Sequence, residues 1–306
     1  MILPAIDAHM HMWDLDLNYY PWLRDGDRSS VVENISSLQQ NYGPDNFWQD
    51  AASAEPLIRI VGAVHIQAEH DPRDHVRETT WLQGIADAPG SKSVPQAIVG
   101  NADLAAPDVE GVIERHCAHR NMRGIRQALH RRLTADPYYD PLEDPAFQRN
   151  FGLLARYGLS FDLQYFQEQA LGVVALVQKH PNVQFILTHA GMPLQTNDEY
   201  VALWRRNLKM LAQFPNVAIK ISGFGLADPD WNTDTVKRMG QAVIAMFGIE
   251  RCMLASNFPV ERVHRSYSDI WHAFLIAFRD ASAAERDALF IGNAMRFYRI
   301  DPSTIN

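Results

Sequence analysis

Eight short runs rich in β-branched and other apolar residues recur along the chain, at 3–9, 60–68, 97–104, 124–129, 159–165, 183–189, 217–222 and 252–257. Most are apolar throughout, without alternation, as strands of a parallel sheet covered on both faces are. Stretches of helical period lie between most of them, at 71–85, 107–119, 145–157, 167–179, 199–214, 233–247 and 267–278. Gly158 follows the Leu153–Tyr157 run as a glycine just past a helix end does, and Pro181-Asn182 and Pro215-Asn216 stand between helix and strand as turn residues. Length alone would also allow two domains. Eight strands alternating with helices in 306 residues instead predict one domain over 1–306, of class α/β, folded as a (β/α)8 TIM barrel. An open doubly wound sheet is the alternative, but no G-x-G-x-x-G follows the first strand. Residues 14–56 fit no repeat. They predict a long insertion after strand 1 that folds over the mouth of a distorted barrel.

Charge and composition narrow the function. The formal net charge is -8 and no basic run occurs, which speaks against nucleic acid as a partner. Cys117 and Cys252 are too few for a disulfide framework or a cysteine zinc site. The first residues lack a signal peptide's basic and apolar regions, and no apolar run approaches the roughly 20 residues that span a membrane. The expectation is a cytoplasmic protein acting on a small molecule, with no membrane partner; a homo-oligomer is left open.

Barrel enzymes carry their chemistry at the C-terminal ends of the strands. The first strand ends Asp7-Ala8-His9-Met10-His11. Residues two apart share a strand face, so His9 and His11 could chelate one metal ion; the alternative is two structural histidines. The sixth run ends in His189, poorly suited to a dry core unless its ring nitrogens are paired. The fourth gives Arg126, able to grip a carboxylate with two prongs or to form a rim ion pair, with His130 just beyond. The fifth gives Asp162, Gln164 and Tyr165, which alternation splits between two faces. Lys220 on the seventh needs a partner if buried, and Asn257 stands at the tip of the eighth.

Several pieces together resemble the amidohydrolase superfamily, in its amidohydrolase-2 branch of sugar-acid and 2-pyrone-4,6-dicarboxylate lactonases. They are Ile6-Asp7-Ala8-His9-Met10-His11-Met12-Trp13, Gly124-Ile125-Arg126, Phe161-Asp162-Leu163, Thr188-His189-Ala190-Gly191-Met192-Pro193, Lys220-Ile221-Ser222-Gly223, Ser256-Asn257-Phe258-Pro259-Val260 and Gly292-Asn293-Ala294-Met295-Arg296-Phe297-Tyr298. The resemblance implies a distorted barrel, His189 as a metal ligand or oxyanion-side group, and Arg126 holding a substrate carboxylate. It also implies an aspartate at the end of strand 8 as base for the attacking water, where this chain has Asn257.

Two routes around that departure are open. His9, His11 and His189 could bind one zinc or manganese ion that acidifies a water, with Asn257 orienting it. Without metal, one histidine is the base, with acids such as Asp162 or Glu261 as neighbours. The function expected is hydrolysis of a lactone bearing a carboxylate or several hydroxyls, with Arg126, His130, Trp13, Gln164, Tyr165 and Lys220 around the substrate. The alternatives are a non-hydrolytic relative such as a decarboxylase, and a ligand-binding barrel that has lost its chemistry.

Overall fold

The computed structural model describes residues 2–26, 35–129 and 139–305. Its eight strands are β1 (Leu3–Met10), β2 (Ile58–Ile66), β3 (Ala97–Gly100), β4 (Met122–Ile125), β5 (Ser160–Leu163), β6 (Phe185–Leu187), β7 (Val217–Ile221) and β8 (Cys252–Leu254). All pair in parallel in the order of the chain. The helices of the outer ring are α1 (Pro44–Ala52), α2 (Arg77–Asp87), α3 (Val109–Cys117), α4 (Pro145–Asn150), α5 (Ala170–Lys179), α6 (Asp198–Leu211), α7 (Thr233–Phe247) and α8 (Tyr267–Ala277). This is the (β/α)8 barrel that the eight runs predict. Among the described residues, no helix is long and apolar enough to cross a membrane.

Three expectations need correction. The helix expected over 145–157 is two pieces, because the chain turns at Phe151 and Gly152 before Leu153–Arg156. The sixth and eighth strands end earlier than their apolar runs, so His189 and Asn257 lie past the strands in left-handed backbone, at φ 48° and 58°. Residues 7, 9 and 11 do not share one face. A register shift between Asp7 and Met10 breaks the alternation, so Ile6 and Ala8 join the barrel interior while Asp7 turns toward β8.

The insertion is built on Trp13. Its backbone bridges Tyr42, its indole N–H donates to the Gln40 carbonyl at 2.7 Å, and its ring meets Trp22 edge-on. Trp22 in turn donates to the Ala68 carbonyl beyond β2, and Tyr42 packs on Phe258 beyond β8. The insertion therefore leans on the rim between those strands, and α1 takes the first helical place in the ring, packed between β2 and α8.

Below, the chain closes the barrel floor. Asn293 donates to the carbonyls of Ile249 and Cys252, at the N-terminal end of β8. Phe297, Tyr298 and Ile300 pack on the interior residues Ile6, Val61 and Ala97.

The seam between β8 and β1 is made by the residues that follow β8. His11 N donates to Phe258 O and Asn257 N to His9 O, both at 2.8 Å. The buried Asp7 carboxylate ties the seam, accepting from Ser256 N at 2.9 Å, Ser256 Oγ at 2.5 Å, Tyr267 OH at 3.1 Å and His9 N at 3.2 Å. Burial raises its pKa to about 6 despite these donors. Removing the acceptor in Asp7→Ala leaves several buried donors unmet, so we expect a loss of about 3 kcal/mol or more. Asp7→Asn keeps one acceptor oxygen and should lose markedly less. Urea unfolding checks both; a wild-type midpoint for Asp7→Ala would show that the seam does not depend on this carboxylate.

Candidate active site

At the mouth, three imidazoles meet. The Nε2 atoms of His9 and His11 are 3.2 Å apart, and the rings of His9 and His189 are 4.6 Å apart between centroids. His189 is held by the turn that follows β6, where residues 189–192 all take positive φ. Such backbone is costly for side chains other than glycine, and the fold holds it from outside. Trp204 Nε1 donates to Ala190 O at 2.7 Å, and Gln167 Nε2 to Gly191 O at 2.6 Å. Tyr200 OH donates to Met192 O. Gly223 lies against His189; a Cβ there would stand 2.7 Å from the His189 Cβ. The His189 Nδ1 faces Ser222 Oγ at 3.1 Å.

Hydrogen-bond partners fix the tautomers of the other two rings. His11 Nδ1 lies 2.7 Å from the Ile66 carbonyl, which only accepts, so this nitrogen carries the proton and Nε2 is bare. His9 Nε2 therefore donates to His11. His9 Nδ1 is bare and faces Lys220 Nζ at 3.4 Å. Lys220 donates to Asp162 Oδ2 at 2.6 Å, and both side chains are fully buried. Lys220 thus donates in two directions, to Asp162 on one side and on the other through His9 and His11 to the β2 backbone. Burial holds both histidines well below the usual range; the Lys220 charge adds to this at His9 and the Arg126 charge at His11. Burial also lowers Lys220, to about 8, against the pull of Asp162.

Asn257 completes this side. Its Oδ1 lies 3.4 Å from His11 Nε2, and its side chain also bonds the Glu261 carboxylate. A carboxylate accepts only, so the amide nitrogen turns to Glu261 and the oxygen to His11. Glu261 is held by Gly225 N and Trp231 Nε1, each at 2.8 Å, and burial raises its pKa.

Arg126 is already engaged. It donates to Gln164 Oε1 at 3.1 Å and to the Gln67 carbonyl at 2.5 Å, and lies 3.8 Å from Glu69 Oε1. Glu69, in left-handed backbone just beyond β2, is anchored both ways by the Gln67 amide. Behind them, His65 Nδ1 accepts from Met12 N at 3.1 Å and its Nε2 faces Glu78 at 3.7 Å, fixing the chain just past His11.

His9, His11, His189, Asn257, Arg126, Gln164 and Lys220 thus gather at the barrel mouth. Trp13 anchors the insertion instead. Tyr165 lies two residues past β5, buried in the same core cluster as Phe161 and Leu163. His130 lies outside the described residues. The sequence reading names nothing beyond the second strand, although the strand-end rule points to Gln67 and Glu69 there. Ser222 closes the seventh run and stands in the Lys220–Gly223 motif, while no comparable signal marks His65 or Glu78.

A divalent metal was expected on the three histidines. Two nitrogens bound at about 2.0 Å to a tetrahedral ion lie about 3.3 Å apart, close to the spacing of the His9 and His11 Nε2 atoms. The donor set nevertheless does not fit. Among the described residues, no group of three His, Cys, Asp or Glu side chains converges on a point. The nearby Asn257 oxygen is neutral, and Asp162 is committed to Lys220. To free its Nε2, His9 would have to turn an Nδ1 proton toward the Lys220 ammonium. No step below runs through a metal.

Neutral, buried histidines have a consequence for acid stability. Their folded pKa values lie below the ordinary 6.5, so as pH falls through that value the unfolded chain takes protons that the folded one refuses. Stability is therefore lost as pH drops from about 6.5 to 5. The loss should be smaller in His9→Gln/His11→Gln; parallel urea midpoints against pH in the two proteins would contradict the assignment.

The family model described as Amidohydrolase (Amidohydro_2) matches residues 6–300. An uncharacterized protein, y4mH, of Sinorhizobium fredii is 40% identical over 302 residues, covering 97% of this chain and 99% of that one. An L-fucono-1,5-lactonase of Burkholderia multivorans is 30% identical over 314 residues, covering 96% of each. The crystal structure of a Burkholderia multivorans amidohydrolase with bound zinc superposes with a TM-score of 0.78 at 28% identity, over 97% of this chain and 99% of that one. Together with the barrel and its histidine-bearing mouth, these matches establish that the chain belongs to the amidohydrolase-2 family.

Proposed function

We propose that this protein hydrolyses a neutral, polyhydroxylated lactone, with His11 as the base that activates water. The observation that carries this is a pair of acceptors. The bare His11 Nε2 and the Asn257 Oδ1 are 3.4 Å apart and cannot bond each other. When substrate enters, the His9 Nε2–H turns from His11 to the ring carbonyl and frees the His11 lone pair; a water bridging the two acceptors from the mouth side then donates one proton to each and turns a lone pair toward the barrel axis, where that carbonyl would sit. His9 Nε2–H, backed by the Lys220 ammonium, is the donor facing the oxygen that becomes negative on attack. His11 takes the water proton as the C–O bond forms. When the tetrahedral adduct collapses, the ring C–O bond breaks and the departing alkoxide receives that proton. The product is the open hydroxy acid. A lactone asks less of its base than an amide does, because an alkoxide leaves more readily.

The choice of a neutral substrate departs from the expectation that Arg126 grips a substrate carboxylate. Glu69 stands beside Arg126 and Asp162 on Lys220, so each cation already has its anion. A carboxylated lactone would have to displace Glu69. Gln67, Glu69 and Gln164 are suited to hydroxyl groups. The relationship to an L-fucono-1,5-lactonase supports the same class.

A panel of five- and six-membered aldonolactones, followed by proton release in weak buffer, tests this reading. Turnover above the spontaneous rate is expected, and His11→Gln should lower kcat by about 100-fold or more. No turnover across the panel, with binding of the same lactones, would favour the ligand-binding alternative. Glu69→Ala should raise the ratio of kcat/KM for carboxylated over neutral lactones about tenfold, since a buried cation then lacks its partner. An unchanged ratio would mean that Glu69 does not set the charge preference.

A further inference from the structure

Tyr298 enters the barrel from the floor. It belongs to the C-terminal segment that seals the N-terminal end of the strands, and its side chain is completely buried. Its hydroxyl donates to Asp162 Oδ2 at 2.7 Å, the same oxygen that Lys220 meets at 2.6 Å. The Lys220 ammonium also lies 5.0 Å from the centre of the Tyr298 ring. Lys220 Nζ is thus set by three neighbours: the carboxylate, the face of the ring, and His9 Nδ1 at 3.4 Å. Two of these three depend on Tyr298. The other carboxylate oxygen, Asp162 Oδ1, is buried and makes no hydrogen bond among the described residues. Without the phenol, the carboxylate is therefore free to rotate and carry the ammonium with it.

We propose that Tyr298 is a positioning residue. By orienting Asp162, it aims Lys220 at His9 Nδ1 and so holds His9 in the tautomer whose Nε2–H points into the mouth. The C-terminal segment is in this sense part of the active site, though it touches no substrate. The link is geometric and contiguous: floor segment, phenol, carboxylate, ammonium, imidazole. Each contact is between buried groups, where a misaligned donor is not replaced by water. The catalytic meaning of this link rests on the reading of His9 as the polarising donor; the tautomer itself does not.

The test is long-range proton–nitrogen NMR on protein labelled at histidine nitrogens, with the His9 signals assigned by their loss in His9→Gln. In the wild type, His9 should show a protonated Nε2 and a bare Nδ1. Tyr298→Phe keeps the ring and removes the hydroxyl. It should lower the ratio of the Nε2–H to the Nδ1–H form by about tenfold, the scale of one charged hydrogen bond. His116, whose Nε2 faces the Asn101 carbonyl away from this chain, should not move. Asp162→Asn interrupts the same link while keeping Tyr298, and provides a second reading if Tyr298→Phe does not fold. An unchanged His9 pattern in either variant would overturn the proposal. Where lactone turnover is measurable, Tyr298→Phe should lower kcat with KM little changed. A wild-type enzyme without turnover would count against the lactonase reading and leave the tautomer result standing.

Discussion

An ammonium buried on the axis of a barrel is the constraint from which the rest of the site follows. Lys220 has no exposed surface, and an unpaired charge there would cost several kcal/mol. Asp162 compensates it, and Tyr298 steadies Asp162 from beneath. A second ammonium proton turns toward His9 Nδ1, and that choice decides which nitrogen of His9 is bare, then which of His11. The donors of a hydrogen-bond chain are set once its ends are fixed. Here both ends accept, a carboxylate in the barrel interior and a backbone carbonyl on β2, and the ammonium between them donates toward each.

The upper half of the site follows another rule. His189 and Asn257 stand just past their strands, each at positive φ, on backbone that resists their side chains. Neither is held by its own local preference. Trp204, Gln167 and Tyr200 capture the carbonyls after His189, while Glu261 and the seam to β1 secure Asn257. The strain sits where the functional groups are, and its restraint comes from the outer ring. Mutations far from the mouth, on α6 for instance, therefore act on the orientation of an imidazole inside it.

Much of this was legible in the sequence. Doubly covered parallel strands are apolar throughout, so all eight stood out, and parallel pairing left few ways to arrange them. The strand-end rule brought His9, His11, His189, Arg126 and Asn257 to one mouth. What escaped depended on tertiary detail. The register shift in β1 that separates Asp7 from His9 carries no signature in Asp7-Ala8-His9-Met10-His11. The commitment of Arg126 to Glu69 needs two strand ends that lie far apart along the chain. Tyr298 was part of a motif whose helical packing against the floor was not read, because the segment is short and its apolar face meets strand ends.

Glu261 follows Asn257 by four residues, and its backbone N–H donates to the Asn257 carbonyl at 3.1 Å, closing a single helical turn. The resemblance places an aspartate where Asn257 stands. This corner still holds an acidic side chain, one turn further along the chain, buried behind the Asn257 amide and bonded to Trp231. What changes is the kind of group the cavity sees: a neutral oxygen whose direction is set by a hidden anion. A corner of this design separates the source of its electrostatic field from the atom that faces the mouth, and each can then vary without the other being exposed to solvent.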